Sequence, residues 1–363
     1  MANRSMMVST FPAGTNTVIG GSFFSVDANM TPPLDSTDGT CQFKNSVAGT
    51  VSGMNIHTQN VGNFFKDSTH TDHIASGDLI NFATLGSMTI NGIGAVFTPD
   101  SGNAVGFFQG PDSNAGVGSN SLLYLPFTGG RWTDTVEANR QVRIRAAGTL
   151  SNFQVNLATN TRTTPTTFNV RVNGANTGNT VTFGAGVTGL RSQDTPSNTT
   201  TLLSGDLVST AMLGGGGVGS VFNNGLAFNI VSNDSRVDIV GTNNTVNYDG
   251  GTGTMFIPIK GHIDTQGNEQ KCQIIPGFPM RLSRMRIFIQ SNTLTQDFVV
   301  TLNKNTVAQT QTFIIPSGAT GWQEDTTHTD DFLATDKASI SIQAGGSGTI
   351  FWSTSAITAQ DIG

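Results

Sequence analysis

The chain has 363 residues, 44 of them glycine, and only 12% are Asp, Glu, Lys or Arg, about half the usual share of a soluble domain. A formal net charge of -6 without a basic run argues against a nucleic-acid partner, and no apolar run of about eighteen residues is present to cross a membrane as a helix. The opening Met1-Ala2-Asn3-Arg4-Ser5-Met6-Met7 lacks an apolar stretch of signal length, and β-branched and turn residues outnumber good helix formers, so the expectation is an all-β protein.

Read in chain order, one set of elements occurs three times. Residues 16–58, 120–159 and 253–291 each open on a short apolar strand, cross a polar loop, and run through two alternating strands around a Gly or Pro turn. Segments 67–78 (DSTHTDHIASGD), 194–206 (DTPSNTTTLLSGD) and 325–337 (DTTHTDDFLATDK) then recur, followed by glycine-turn strand pairs. Copies two and three carry a central hairpin at 166–183 and 297–315, with Asn173-Gly174 as a two-residue turn and Asn303-Lys304 in its place in the third copy. Copy one has only NVGNFFKDS there and is the trimmed copy. The pattern predicts three tandem antiparallel β-sandwich, jelly-roll-like domains at 1–115, 116–245 and 246–363. Limited proteolysis is expected to cut near 110–120 and 241–253.

Alternation assigns the strand faces. Val142 and Ile144 oppose Arg143 and Arg145; Phe153, Val155 and Leu157 oppose Gln154 and Asn156; Met285, Ile287 and Ile289 oppose Arg286 and Phe288. Arg140, Arg143 and Arg145 of copy two are matched with Arg281, Arg284 and Arg286 of copy three as interface residues, because guanidinium suits interface ion pairs and planar stacking. The plainer reading is a solvated strand face that discourages edge-to-edge pairing.

Other chemistry is thin. His70, Asp72 and His73, or His328, Asp330 and Asp331, have the spacing of metal ligands, but Asp and Thr in such turns more often cap backbone N–H groups. Loops 97–103 and 234–249 offer oxygens to calcium without a fixed acidic ladder, so a calcium ion stays open. Asp134 with Glu137, or Glu324 with Asp325, are the carboxylate pairs a glycosidase would need, and neither recurs in a convincing setting. Cys41 and Cys272 are too few for a disulfide framework or a four-ligand zinc site. Trp132, Trp322 and Trp352 share no position, which favours packing over sugar stacking. The expectation is therefore no enzyme, no catalytic residue, no metal site and no cofactor.

The run AAGTLSNFQVNLAT, then TTFNVRVNGANTGNTVTF, then the Thr/Asn-rich stretch ending LLSGDLVS, resembles the jelly-roll modules of tailed-phage virion proteins. Copy two carries the resemblance best. It implies a virion structural protein, a capsid decoration or minor head protein, assembled in the host cytoplasm. The implied partners are its own copies, as a homotrimer, and the major capsid protein or another virion protein. A receptor- or glycan-binding fibre component, or a filament subunit, is the alternative.

Overall fold

A computed structural model of the chain describes residues 122–125, 133–243, 248–249, 253–259, 261–263, 267–344 and 346–363, together with residue 103 and the backbones of eight short strands between Ser5 and Gln109. Apart from two single-turn 3-10 helices, Glu137–Arg140 and Glu269–Lys271, the regular structure among the described residues is all strand.

Ten strands build one two-sheet unit: β1 (Val105–Gln109), β2 (Leu122–Leu125), β3 (Val142–Arg143), β4 (Gly148–Asn160), β5 (Thr166–Val172), β6 (Ala175–Phe183), β7 (Gly189–Ser192), β8 (Thr200–Leu202), β9 (Leu207–Gly214) and β10 (Val221–Ser232). One sheet runs β3-β9-β5-β6 with β2 also on β9; the other runs β7-β4-β10-β1 with β8 on β4. A second unit follows: β11 (Arg236–Asn243), β12 (Tyr248–Asp249), β13 (Thr254–Ile257), β14 (Gly261–Ile263), β15 (Met280–Asn292), β16 (Phe298–Lys304), β17 (Val307–Ile315), β18 (Gly321–Glu324), β19 (Thr329–Phe332), β20 (Ala338–Ala344) and β21 (Thr349–Asp361). Its sheets run β14-β11-β21-β15-β18, with β12 on β21 and β19 on β15, and β13-β20-β16-β17. The β14–β11 pair is parallel, and every other described pair is antiparallel.

The hydrogen-bond ladders place the repeats slightly ahead of the sequence-read boundaries at 116 and 246. Strand β1 pairs with β10, and β11 pairs with β21, so each leading strand belongs to the unit that follows it. The link between the two units is residues 233–235.

Alternation sets the cores. Val142, Ile144, Phe153, Val155 and Leu157 are buried with Phe168, Phe183 and Phe228, and Met285, Ile287 and Ile289 with Phe298, Phe332 and Trp352. Each of these side chains contributes about 1.5–3 kcal/mol by leaving water, so the apolar faces, rather than the neutral polar surface, hold the sheets together.

Several devices occur in both units and fix how they align. Asn152 and Arg284 both sit at φ 56°, each on the β-bulge where the β4–β10 and β15–β21 ladders shift register. Leu150-Ser151-Asn152 thus matches Leu282-Ser283-Arg284. The sequence pairing of Arg140, Arg143 and Arg145 with Arg281, Arg284 and Arg286 is therefore corrected: Arg286 stands where the first unit has Gln154. Near neighbours in sequence misled because arginines on alternating strands look alike at several registers.

The hairpin turn also differs from expectation in the second unit. Asn173 and Gly174 turn at φ 51° and 80°, as their sequence predicts. Asn303 and Lys304, however, are the last residues of β16, and the turn is Asn305-Thr306 at φ 53° and 71°. Asn305 holds the turn by donating Nδ2–H to Asp336 Oδ1 (2.7 Å) and accepting Lys337 N–H at Oδ1 (2.9 Å). A β-branched residue there is strained by about 1–2 kcal/mol. Thr306→Gly is expected to stabilise the unit by about 1 kcal/mol, raising the urea midpoint without changing the slope.

One glycine per unit combines a close backbone carbonyl with a left-handed φ. A Cβ on Gly219 would lie 2.2 Å from the Thr161 carbonyl oxygen, and one on Gly348 would lie 2.1 Å from that of Thr293. Both also have φ above +100°.

Candidate functional site

The joint between the units gathers buried charged side chains from both, and it begins with strand alternation. With Val142 and Ile144 turned into the first core, Arg143 and Arg145 point the other way, towards the outer face of the β11–β21–β15–β18 sheet. Val240 and Ala356 of that face pack with Leu125, Val142 and Ile144 in one apolar cluster.

Asp238 on β11 is at the centre, 7% exposed. Its Oδ2 accepts the backbone N–H groups of Arg145 (2.7 Å) and Ala146 (3.0 Å), and its Oδ1 accepts the Thr358 hydroxyl at 2.7 Å. Arg286 is 0% exposed, and its Nη2 lies 2.9 Å from Asp238 Oδ1, an ion contact outside hydrogen-bond angles. The rest of that guanidinium donates to carbonyls on both sides of the joint: Nε to Arg143 O at 2.9 Å and Nη1 to Arg284 O at 3.0 Å. A buried ion pair is tolerable only when its remaining donors and acceptors are met in this way.

Beside it, Arg145 forks onto Glu324, with Nε 2.8 Å from Oε1 and Nη2 also on Oε2. The Glu324 side chain is 6% exposed, so this pair is shielded from salt more than a surface bridge. Arg284 Nη1 approaches the same carboxylate at 4.0 Å. Arg143 lies over the Trp322 ring at 5.5 Å, and Trp322 packs at 5.5 Å against Phe288. Burial, with the like charge of Arg145, pulls the Arg143 guanidinium below its ordinary value, Glu324 opposing.

Of the six arginines singled out by sequence, the structure brings Arg143, Arg145, Arg284 and Arg286 together at this joint. Arg281 is apart, paired on the surface with Asp331 at 2.7 Å. Arg140 is buried, with Asp134 3.8 Å away, on a 3-10 turn (Glu137–Arg140) that lies against β21 of the second unit. Asp238, Glu324 and Thr358 were missed as interface residues. The signal was present for Glu324, two positions after Trp322 on one strand face, whereas Asp238 lies in a segment read as the end of the preceding copy.

The other candidates resolve as turn chemistry. Asp325 Oδ1 accepts the N–H groups of Thr327 (3.0 Å) and His328 (3.1 Å), and Oδ2 accepts Thr312 N–H at 3.1 Å. Asp330 accepts Thr310 and Gln311 N–H groups, and Asp331 is held by Arg281, so His328, Asp330 and Asp331 do not converge. No group of three metal-ligating side chains meets among the described residues. Asp134 accepts Val136 N–H, and Glu137 is clamped by Arg171 and Ser209, an arrangement repeated by Glu269 with Asn303 and Ser339. Glu324 and Asp325 point apart, one into the joint and one into its own turn. Trp352 is a core residue, and Cys272 is buried with its thiol 3.4 Å from Phe256 O. Loop 234–249 gives Asp234 to Arg236 and Asp238 to the joint. His70, Asp72, His73, Trp132, the Phe97 and Cys41 side chains and residues 98–102 lie outside the described residues.

Burial works against the charge of Asp325, but the N–H groups of Thr327 and His328 and the His328 ring outweigh it and hold the carboxyl below its ordinary 3.8. A folded value below the unfolded one gives stability that is full above the unfolded value and is lost as pH falls through the folded value. The stability gap between the native chain and Asp325→Asn, read from urea midpoints, is expected to shrink as pH is lowered below about 4. A gap independent of pH would contradict this role.

No family model matches the chain, and no curated protein matches it. Among solved structures, a Paenibacillus xanthan lyase is similar over 79% of this chain and 30% of its own, at 11% identity and a TM-score of 0.22. A structure of Sulfolobus turreted icosahedral virus is similar over 98% of this chain and 89% of its own, at 10% identity and a TM-score of 0.17. This chain thus spans less than a third of the lyase, and neither likeness carries an argument about function.

Proposed function

We propose that the chain is a non-enzymatic virion structural protein, a capsid decoration or minor head protein that binds a shell through repeated β-units. The observation that supports the reading is the joint. Two alike sandwiches are locked by buried ions and a shared apolar cluster, so their outer surfaces stay at one spacing and angle. A stiff body with repeated neutral, hydrogen-bonding surfaces gains affinity on a periodic partner, because each further contact is made at high effective concentration. A flexible linker would lose much of that gain. Homotrimerisation and a capsid-protein partner belong to the same proposal and rest on the resemblance of the second copy to phage modules.

The test is co-sedimentation of purified protein with candidate shells lacking it, followed by negative-stain imaging. Saturable binding at regular positions supports the reading. Absence of particle binding together with retention on a glycan array would replace it with a glycan-binding fibre.

A further inference from the structure

The joint is made by one end of the first unit and one sheet face of the second, and each has an exposed counterpart on the other unit. The counterpart of the face is the outer side of β7, β4 and β10. Gln154 pairs with Ala227 and Ser192, as Arg286 pairs with Ala356 and Glu324. By the same registers Leu190 matches Trp322, Asn229 matches Thr358, and Phe107, across from Asn229, matches Asp238. Arg286, Ala356 and Thr358 are at most 1% exposed, whereas Leu190 is 47% exposed, and Ala227 and Ser192 are exposed with it. The counterpart of the docking end is the segment Ile274–Phe278. Ile274 bridges Ala338 as Val142 pairs with Val208, and Pro279 O accepts Ile362 N–H as Ala147 O accepts Asn233 N–H. Ile275 thus stands where the joint has Arg143, and Gly277 where it has Arg145. Burial alternates alike, with Ile274, Pro276 and Phe278 buried, Ile275 half-buried and Gly277 exposed.

These two surfaces depart from the joint in step with each other. Where the joint sets Arg143 on Trp322, they offer Ile275 and Leu190. Where it sets Arg145 on Glu324, they offer Gly277 and Ser192. In the joint Asp238 receives two backbone N–H groups. Its place is taken by Phe107, and Gly277, at φ 79°, gives its own N–H to Ala334 O (3.1 Å) inside its unit. Arg143 O, which accepts from Arg286, becomes Ile275 O facing Gln154, whose amide is again a donor. Each charged pair is exchanged on both sides at once, so docking would bury no ion without a partner.

We propose that the Ile274–Phe278 end of one chain docks on the face carrying Gln154, Leu190, Ser192, Ala227 and Asn229 of a second copy, in a neutral version of the joint. The two copies use different surfaces, so the contact is head-to-tail and builds a closed ring or an open filament. It rests on the self-association proposed above and gives it a surface. Shell binding has no part in its test, so either can fail alone.

Sedimentation velocity of the full chain over a wide range of concentration is the test. Species at multiples of the chain mass that grow with concentration are expected. Leu190→Glu and Ile275→Arg should each weaken assembly at least about tenfold, and the two together in one chain should regain most of the loss, because they place an Arg–Glu pair in the contact. A chain that stays monomeric, or a Leu190→Glu variant that assembles as well as the native chain, overturns the proposal. Leu190 is at the surface, where a substitution leaves folding almost unchanged. Should Ile275→Arg fold poorly, two preparations with Cys41→Ser and Cys272→Ser, one carrying Ile275→Cys and the other Leu190→Cys, are mixed and oxidised. A 275–190 disulfide between chains, identified by mass, should form at least about tenfold faster than in a control mixture with Leu203→Cys in place of Leu190→Cys. Leu203 is 62% exposed, so equal rates would mean chance encounter and overturn the contact.

Discussion

Asp238→Ala is expected to cost about 3–5 kcal/mol, the range for removing one partner of a buried ion pair. Two losses combine. Arg286, fully buried, keeps its charge with no carboxylate beside it, and the N–H groups of Arg145 and Ala146 lose the acceptor that ties β3's extension to the neighbouring unit. The second loss separates this site from an ordinary ion pair. Replacing both charges with apolar side chains is often neutral for a buried pair. Here Asp238→Leu with Arg286→Met still strands two backbone donors, each costing about 1–3 kcal/mol, so the double variant stays well below the native chain. Calorimetry should show the two units melting together in the native protein and separately in Asp238→Ala. Trypsin, after Arg236, or thermolysin, before Val237, should then cut just past the link at 233–235, ahead of the 241–253 region that the sequence marks for cleavage. Unchanged co-operativity would show that the apolar cluster around Val240 and Ala356 couples the units without the ions.

This joint also shows what a sequence can and cannot tell. Face assignment was legible, because alternation is local: Val142 and Ile144 had to oppose Arg143 and Arg145 whatever lay beyond. Repetition between the second and third copies was legible too, since the segments 194–206 and 325–337 share their order and spacing, although the Asn173-Gly174 turn has Asn305-Thr306 as its counterpart. Register across the repeats was not. Arg284 occupies a left-handed bulge position that sequence rules reserve for Gly or Asn, so the match of Asn152 with Arg284 had no local signal. The identity of the partner was hidden for a different reason. Arg145 looked outward for a carboxylate, and nothing in the order of residues says that Glu324 of the same chain supplies it.

The most repeated of the polar devices carries the second large effect. Asn160 and Asn292 end the long strands β4 and β15 and are at most 9% exposed. Asn292 donates Nδ2–H to Pro316 O (3.0 Å) and Ala319 O (3.2 Å) and accepts Leu294 N–H at 3.0 Å. Asn160 does the same with Gly184 O, Val187 O and Arg162 N–H. Each amide thus ties the loop after a hairpin strand to the end of the core strand. The signal for it was the repeated Asn-Thr-x-Thr at 160–163 and 292–295, easily passed over in a chain rich in both residues. Asn292→Asp changes almost no volume, yet it turns two donors into lone pairs facing two carbonyls. Leaving both carbonyls unmet costs about 1–3 kcal/mol each, and a buried carboxylate adds to it, so a loss of about 3–5 kcal/mol is expected. Asn292→Ala should lose somewhat less, since it strands the same groups without burying a charge. Because Asn160 makes the same bonds in another core, Asn160→Asp should cost a similar amount, and the double variant should equal the sum within about 0.5 kcal/mol. Urea unfolding of the three variants, fitted by unit, checks both statements. A large coupling would mean that the two loops communicate through the joint and that the units do not store their stability separately.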